Sequence, residues 1–444
     1  MFRTNKELLS IQEIESMVGK HKQEAIRYKL LEDYYLGRHK ILEKVKMDAD
    51  APNNLIVNPY PKYITDMLTG YFIGQPVLYA AIDNSSEKDD AFLEALMAIY
   101  RANDEQEENL ELARTCSIKG KAYEILWTDQ EANPRFKIIQ PEECFFIYDT
   151  SLEERVRFAV RHYQTRVDGD LVDSIWVYSD SKVQVYEAKK GQMALIEEKP
   201  HYFGQVPLVL YENNREGQGD FEPVLSLIDA YDLAQSNTLN DMEQFTDAYL
   251  VLVNMSGTTS EEIRDLREKR TLLIDENGDA KWLVKDVNDT WVENYKNRLK
   301  QDIHKFSSTP DMTDENFGSN LSGVSLRYKL LAMEQIRANK ERKFKKGLQR
   351  RIELLANYLK ITNKDMLYTG LSMTFNNTLP QNILETAQII STLAPFLSKE
   401  TLIKQLPFVE NAKEELERKS HEEEYDTDYK DLEKLIGKDG HEDQ

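Results

Sequence analysis

Residues 306–326 read FSSTPDMTDENFGSNLSGVSL, with three acids (Asp311, Asp314, Glu315), two glycines, one proline and no lysine or arginine. Both flanks carry helical periodicity. Before the stretch runs WVENYKNRLKQDIHKF, from Trp291 to Phe306. After it, Leu326, Leu330, Met333, Phe344, Leu348, Ile352, Leu355 and Leu359 recur at three- and four-residue steps. Antiparallel helices are usually joined by about two to eight residues, and this connection takes about fourteen. Met312, Phe317 and Leu321 set it apart from a purely polar linker, so it is expected to pack against something. The fold turns on whether this is a spacer or a working loop held between two long helices.

The second of those helices, Gly323 to Lys360, would extend roughly 55 Å at 1.5 Å per residue. It carries eleven Lys/Arg against three Glu, a local +8 in a chain of formal charge −21. Arg337, Lys340, Arg342, Lys343, Lys345, Lys346, Arg350 and Arg351 are its candidate functional cations. The plainer reading is a solvated face, or one that pairs with acidic neighbours. Upstream, Val224, Ile228, Tyr231, Met242, Phe245, Tyr249 and Leu252 mark one helical stripe from Phe221 to Asn254, with Asp220 as N-cap. Between the stripes lies a compact insertion, Ser256 to Thr290. Thr259 with Glu262 fits a capping box there, and TLLIDENGDAKWLV reads as a hairpin about Asn277-Gly278.

From Gly120 to Tyr211 the period changes to two, in runs rich in β-branched and aromatic residues, which predicts an antiparallel meander. The first 115 or so residues read as helical. In NPYPKYITDMLTGYFIGQP, Asn58 is the expected N-cap, Pro59 falls in the first turn and Gly74 ends the helix. After TFNNTLP come short helices and a polar tail, KDGHEDQ, expected to be disordered.

The excess of 78 Asp/Glu over 57 Lys/Arg argues against a general DNA-gripping protein, because phosphate contacts draw their affinity from cations. Cys116 and Cys144 have neither CxxC spacing nor a nearby histidine and read as buried small hydrophobes in a reducing cytoplasm. The charged N-terminus lacks an apolar signal core, and no apolar run approaches the roughly 18 residues that span a bilayer. A soluble chain made inside the cell is expected.

Motifs for chemistry are missing. There is no GxxxxGK[ST], GxSxG or HExxH, and the seven histidines share no spacing. Asp275, Asn277, Asp279 and Asp286 mimic a calcium loop, but Ala280 stands where the loop requires glycine. The acids of PDMTDENF are neighbours on one connection, whereas a nuclease site needs carboxylates converging from rigid elements. No cofactor, metal or catalytic residue is assigned.

A family resemblance is specific. STPDMTDENFGSNLSGVSLRYKLLAMEQ resembles the tunnel loop and following helix of portal proteins, the head-to-tail connectors of long-tailed double-stranded DNA phages. YYLGRHKI, NPYPKYITDMLTGYFIGQPVLY and DFEPVLSLIDAYDLAQSNTLNDMEQFTDAYLVL are similar to that family in the same order. The resemblance implies an α+β, mainly helical portal fold. Its wing would span 1–219, stem helices 220–254 and 291–306, clip 255–290, tunnel loop 307–322, kinked wing helix and return 323–375, and crown with tail 376–444.

It further implies a ring of twelve copies at one capsid vertex of the virion, made in the host bacterial cytoplasm, with double-stranded DNA passing through it. Terminase large subunit and then a head-completion or adaptor protein would dock on the clip, at Glu261, Glu262, Arg264, Asp265, Arg267, Asn277, Gly278 and Trp282. Major capsid and scaffolding proteins are further implied partners, and no membrane is. The loop residues Asp311, Met312, Thr313, Asp314, Glu315, Asn316, Phe317, Gly318, Ser319, Asn320 and Leu321 would face the DNA. A rim without cations would touch a moving polyanion without trapping it. The alternatives are another virion ring or adaptor without DNA transit, and a metal-dependent nuclease.

Overall fold

The structure, a computed structural model, describes residues 2–45, 52–81, 87–167, 170–189, 192–245, 249–253, 259, 279–283, 289–313, 328–362, 371–376, 383–403, 406, 409, 412 and 415–422. The chain divides into two compact units, Met1–Thr378 and Leu379–Gln444. In the first, β1 (Phe2–Arg3) precedes α1 (Ile11–Tyr35), α2 (Tyr60–Ile73), β2 (Leu78–Ala81), α3 (Glu87–Ala102) and α4 (Glu105–Lys119). Then come β3 (Lys121–Thr128), β4 (Pro134–Ile139), β5 (Cys144–Tyr148), β6 (Val156–Val167), β7 (Asp170–Tyr178), β8 (Lys182–Lys189), β9 (Gln192–Pro200) and β10 (Leu208–Glu212). The unit continues with α5 (Leu225–Phe245), β11 (Tyr249–Val253), β12 (Asp279–Leu283), α6 (Asp289–Ser307), α7 (Leu331–Thr362) and β13 (Leu371–Thr374). The second unit holds α8 (Ile383–Leu393) and α9 (Lys399–Ile403).

Local chemistry accounts for the helix ends. At α1, Ser10 and Glu13 form a capping box, the Glu13 N–H donating to Ser10 Oγ and the Ser10 N–H to Glu13 Oε2. Gly74 closes α2 as read from the sequence, its N–H donating to the Gly70 carbonyl at 3.0 Å. Asn58, however, does not cap that helix. Its backbone N–H and Nδ2 both donate to Asp232 Oδ1 at 2.8 Å, so it ties the entry of α2 to α5 instead.

The meander is present, but the β region is two sheets rather than one. β5 to β9 run antiparallel in sequence order, with β1 added in parallel at the β5 edge. β3 and β4 leave that order to pair with β10. Period-two alternation explains the layering. Phe145 and Ile147 of β5 face α1 together with Ile14 and Val18. Cys144 and Phe146 face the second sheet, against Tyr123, Ile139 and Leu208. The far side of that sheet, through Ala122 and Leu126, is covered by α4 and α7 in the largest core, with Phe344, Leu348, Ile352 and Leu355.

The helix read from Phe221 to Asn254 is shorter in the structure. A 3-10 turn, Glu222–Val224, precedes α5, and Asp220 stands outside the helix, taken up by Ser117, Asn213 and Lys340. At the other end Tyr249–Val253 is a strand paired antiparallel with Asp279–Leu283. An apolar run such as YLVLV satisfies helix and strand templates alike, and here the available partner strand decides. The predicted turn Asn277-Gly278 and the capping partner Glu262 lie outside the described residues. α6 matches the expected second helix, and α7 spans 32 residues, roughly 48 Å.

Candidate functional site

The described part of the acidic connection is its root, residues 307–313, and it is bound closely to α2 and α6. Ser307 and Thr309 are buried and joined through their hydroxyls. Ser308 takes a left-handed backbone at φ +56°, unusual for a residue with a Cβ. Two backbone bonds hold it there, Ser308 N–H to Lys305 O at 3.3 Å and Thr309 N–H to His304 O at 3.1 Å. His304 Nδ1 donates to the Thr309 carbonyl at 3.1 Å, and its ring meets Tyr60 and Tyr63 edge-on at 5.8 and 5.7 Å. Burial lowers the His304 pKa, which suits this neutral donor role.

Asp311 lies 2.7 Å from Lys300 Nζ on α6 and accepts from the Thr313 hydroxyl at 2.6 Å and the Thr313 N–H at 3.0 Å. Burial works against its charge, but the bonds from Lys300 and Thr313 outweigh it and hold the carboxyl at about 2. Asp311 therefore fastens the loop to the helix that leads into it. Met312 and Thr313 are exposed. The remaining candidates, Asp314, Glu315, Asn316, Phe317, Gly318, Ser319, Asn320 and Leu321, lie outside the described residues.

The basic helix directs most of its charge into the fold. Arg337 bridges Glu334 and Glu341, Lys343 meets Glu212 at 2.8 Å, and Lys345 donates to the Met373 carbonyl. Arg350 contacts Gln205 and lies 3.5 Å from Glu353. Lys340 is buried against Asp220. Arg351 is fully enclosed. Its guanidinium grips both Glu124 oxygens, reaches Asn109 at 2.9 Å and Glu105 at 3.3 Å, and lies 4.6 Å from the Phe136 ring. Burial opposes this charge, yet Glu124 holds the Arg351 pKa well above the ordinary arginine value. Arg342 and Lys346 are exposed. Arg337 and Arg350 meet glutamates of α7 itself, whereas the acids that meet Lys340, Lys343 and Arg351 come from α4, β3, β10 and the loop before α5, which no sequence pattern brings together.

Of the insertion candidates, Glu261, Glu262, Arg264, Asp265, Arg267, Asn277 and Gly278 lie outside the described residues, and Trp282 sits in β12. Among the described residues, no three His, Cys, Asp or Glu side chains cluster as metal ligands. Cys116 and Cys144 are buried free thiols, their pKa values raised by burial. Among the described residues no helix is long and apolar enough to cross a membrane.

Comparison of the sequence with known proteins places this chain among phage structural components. The family model "Phage portal protein, SPP1 Gp6-like" matches residues 14–429. The portal protein of Bacillus phage SPP1 is 27% identical over 394 residues, covering 84% of this chain and 76% of that protein. The portal protein of Clostridium phage phiCD119 is 25% identical over 439 residues, covering 92% and 94%. A solved neck of an empty GTA particle, computed with C6 symmetry, aligns at a TM-score of 0.47 and 12% identity, over 78% of this chain and 90% of that one. This chain belongs to the SPP1 Gp6-like phage portal protein family.

Proposed function

We propose that copies of this chain close into a ring, of twelve in the virion, through which double-stranded DNA enters and leaves the capsid. The observation that carries the reading is the family match over residues 14–429, which embraces every element flanking the acidic connection. In this reading residues 255–290 form the clip on which terminase and then a head-completion protein dock. Residues 220–254 and 291–306 form the stem, and 376–444 the crown.

The root geometry supports a division of labour within the connection. Asp311 is paired with Lys300, so the anionic character offered to DNA falls to Asp314 and Glu315, beyond the root. With no cation from Phe306 to Leu326, the rim repels phosphate instead of binding it. Phe317 and Leu321 pack neighbouring copies into a collar, and Gly318 and Gly323 permit the turns. Most basic residues of α7 hold the subunit together, leaving Arg342, Lys346 and Lys360 as its outward cations.

The test is the double variant Asp314→Lys, Glu315→Lys, which spares the Asp311 anchor. Rings of unchanged mass with stalled packaging or ejection are expected. Unimpaired packaging by intact variant rings contradicts the reading.

A further inference from the structure

The acidic connection is held on both sides by one helix that is not part of it. Tyr63 in α2 donates to the Pro310 carbonyl at 2.7 Å, and the Met312 N–H points back at the same hydroxyl at 3.4 Å. Eight residues further along α2, about 12 Å of helix, Tyr71 donates to Glu334 Oε2 at 2.7 Å. Glu334 is in the first turn of α7, and Arg337 braces the same carboxylate through Nε and Nη2 at 2.8 to 3.1 Å. α2 thus touches the chain at residues 310–312, before Asp314, and again at Glu334, seven residues beyond residue 327, on either side of the segment that carries Asp314 and Glu315.

We propose that Tyr63 and Tyr71 act as a two-point clamp, positioning residues that fix where the acidic segment leaves α6 and where it re-enters α7. The DNA consequence of the clamp rests on the portal reading; the clamp itself does not. The chemistry calls for hydroxyls. A phenol can donate to a carbonyl and accept from an amide at once, which is what the Pro310–Met312 turn presents to Tyr63. The Tyr63 ring packs against His304 without help from that hydroxyl, so phenylalanine would preserve the packing and lose the tether. Exposure changes sharply across the tether. Thr309 is 2% exposed and Met312 51%, so the hydroxyl sits where the chain passes from buried root to surface. The Lys300–Asp311 pair holds the same turn from the α6 side, so the root is attached to both helices.

Hydrogen exchange on the purified full-length protein tests the clamp directly. Tyr63→Phe is expected to speed exchange of the amides of Thr309 and Asp311 to Thr313 by roughly five- to tenfold, the effect of losing one protein hydrogen bond. Tyr71→Phe is expected to speed the first turn of α7 instead. Tyr35→Phe serves as a control, since it removes a hydroxyl bond to Asp66 of α2 that involves neither residues 307–313 nor α7, and it should leave both regions unchanged. Unchanged exchange in Tyr63→Phe, or a rise spread evenly along α2 and α6, overturns the proposal in favour of a plain packing role.

A packaging assay separates the two layers. Rings of Tyr63→Phe should package DNA severalfold more slowly. If exchange rises while Tyr63→Phe and the Asp314→Lys, Glu315→Lys rings both package normally, the clamp stands and the DNA reading falls.

Discussion

Arg351 of α7 and Glu124 of β3 form a two-pronged ion pair inside the largest core, Nε to Oε2 at 2.8 Å and Nη2 to Oε1 at 2.6 Å, with neither side chain exposed to solvent. Tyr211 donates to the same carboxylate at 3.0 Å. A pair this deep adds little net stability over an apolar substitute, but removing one member strands the other. Arg351→Leu leaves Glu124 and Glu105 without their cation, and is expected to lower unfolding stability by about 3–5 kcal/mol in urea titration. Arg351→Lys keeps the charge and loses the fork, so it should fall between that variant and the native protein. A neutral Arg351→Leu would show that Glu124 and Glu105 are compensated by something else.

Gly347 tests the packing of the same face. A Cβ placed on it would stand 2.4 Å from the Tyr211 ring, which is fully buried and backed by Phe344 at 4.9 Å between centroids. Alanine gains about 1 kcal/mol of helix propensity over glycine. Overpacking a close-packed core costs about 1–3 kcal/mol, so the clash wins. Gly347→Ala is expected to lower the thermal midpoint, and a raised midpoint would mean that Tyr211 has room to retreat.

The cations of α7 should divide by what they touch. Lys340→Met leaves Asp220 buried with only Ser117 and Asn213 as neutral donors, and a loss of about 2–4 kcal/mol is expected. Arg342→Ala and Lys346→Ala, on the exposed face, should stay within about 0.5 kcal/mol of the native protein. Equal losses for all three in chemical denaturation would contradict the assignment of charge to the interior.

A histidine pair predicts acid sensitivity. His21 Nδ1 and His162 Nε2 lie 2.7 Å apart between α1 and the six-stranded sheet. Burial lowers each from the ordinary value to about 4, with Glu24 and Asp173 nearby favouring protonation and Lys22 and Lys121 opposing it. The unfolded chain takes up these protons near pH 6.5 and the folded one only near 4. Stability from this pair is therefore complete above pH 6.5 and falls as the pH drops from 6.5 towards 4, the two imidazoles taking up protons as a coupled pair. Thermal midpoints measured from pH 7 to 4 should fall more steeply for the native protein than for His162→Gln.

Local sequence chemistry made much of this fold readable. The Gly74 stop, the period-two strands, the α6 stripe and the α7 stripe from Met333 onward depend on residues close together in the chain, and they stand where the pattern puts them. Gly323 and Leu326, where the pattern starts the second long helix, lie outside the described residues. The misreadings involve distant partners. Asn58 and Asp220 are good capping residues in isolation, but Asp232 and Lys340 take them. Tyr249–Val253 becomes a strand because Asp279–Leu283 lies beside it. The capping box of Ser10 and Glu13 has the local spacing S-x-x-E, a signal for the start of α1 that sequence reasoning missed. Asp311 looked equivalent to Asp314 and Glu315 by sequence. Only the approach of Lys300, a turn and more back along α6, marks it as an anchor. Tyr63 and Tyr71 carry no signal in the sequence, since a tyrosine on an amphipathic helix ordinarily marks core.

The central claim is that identical chains surround an aperture whose narrowest rim carries Asp314 and Glu315. A cryo-EM reconstruction of the purified full-length protein tests it most directly. A closed ring with residues 314–321 projecting into the central hole, and the root at 307–312 fixed to α2 and α6, is the predicted result. A protein that remains a monomer, or a ring in which those residues are buried away from the hole, would contradict it.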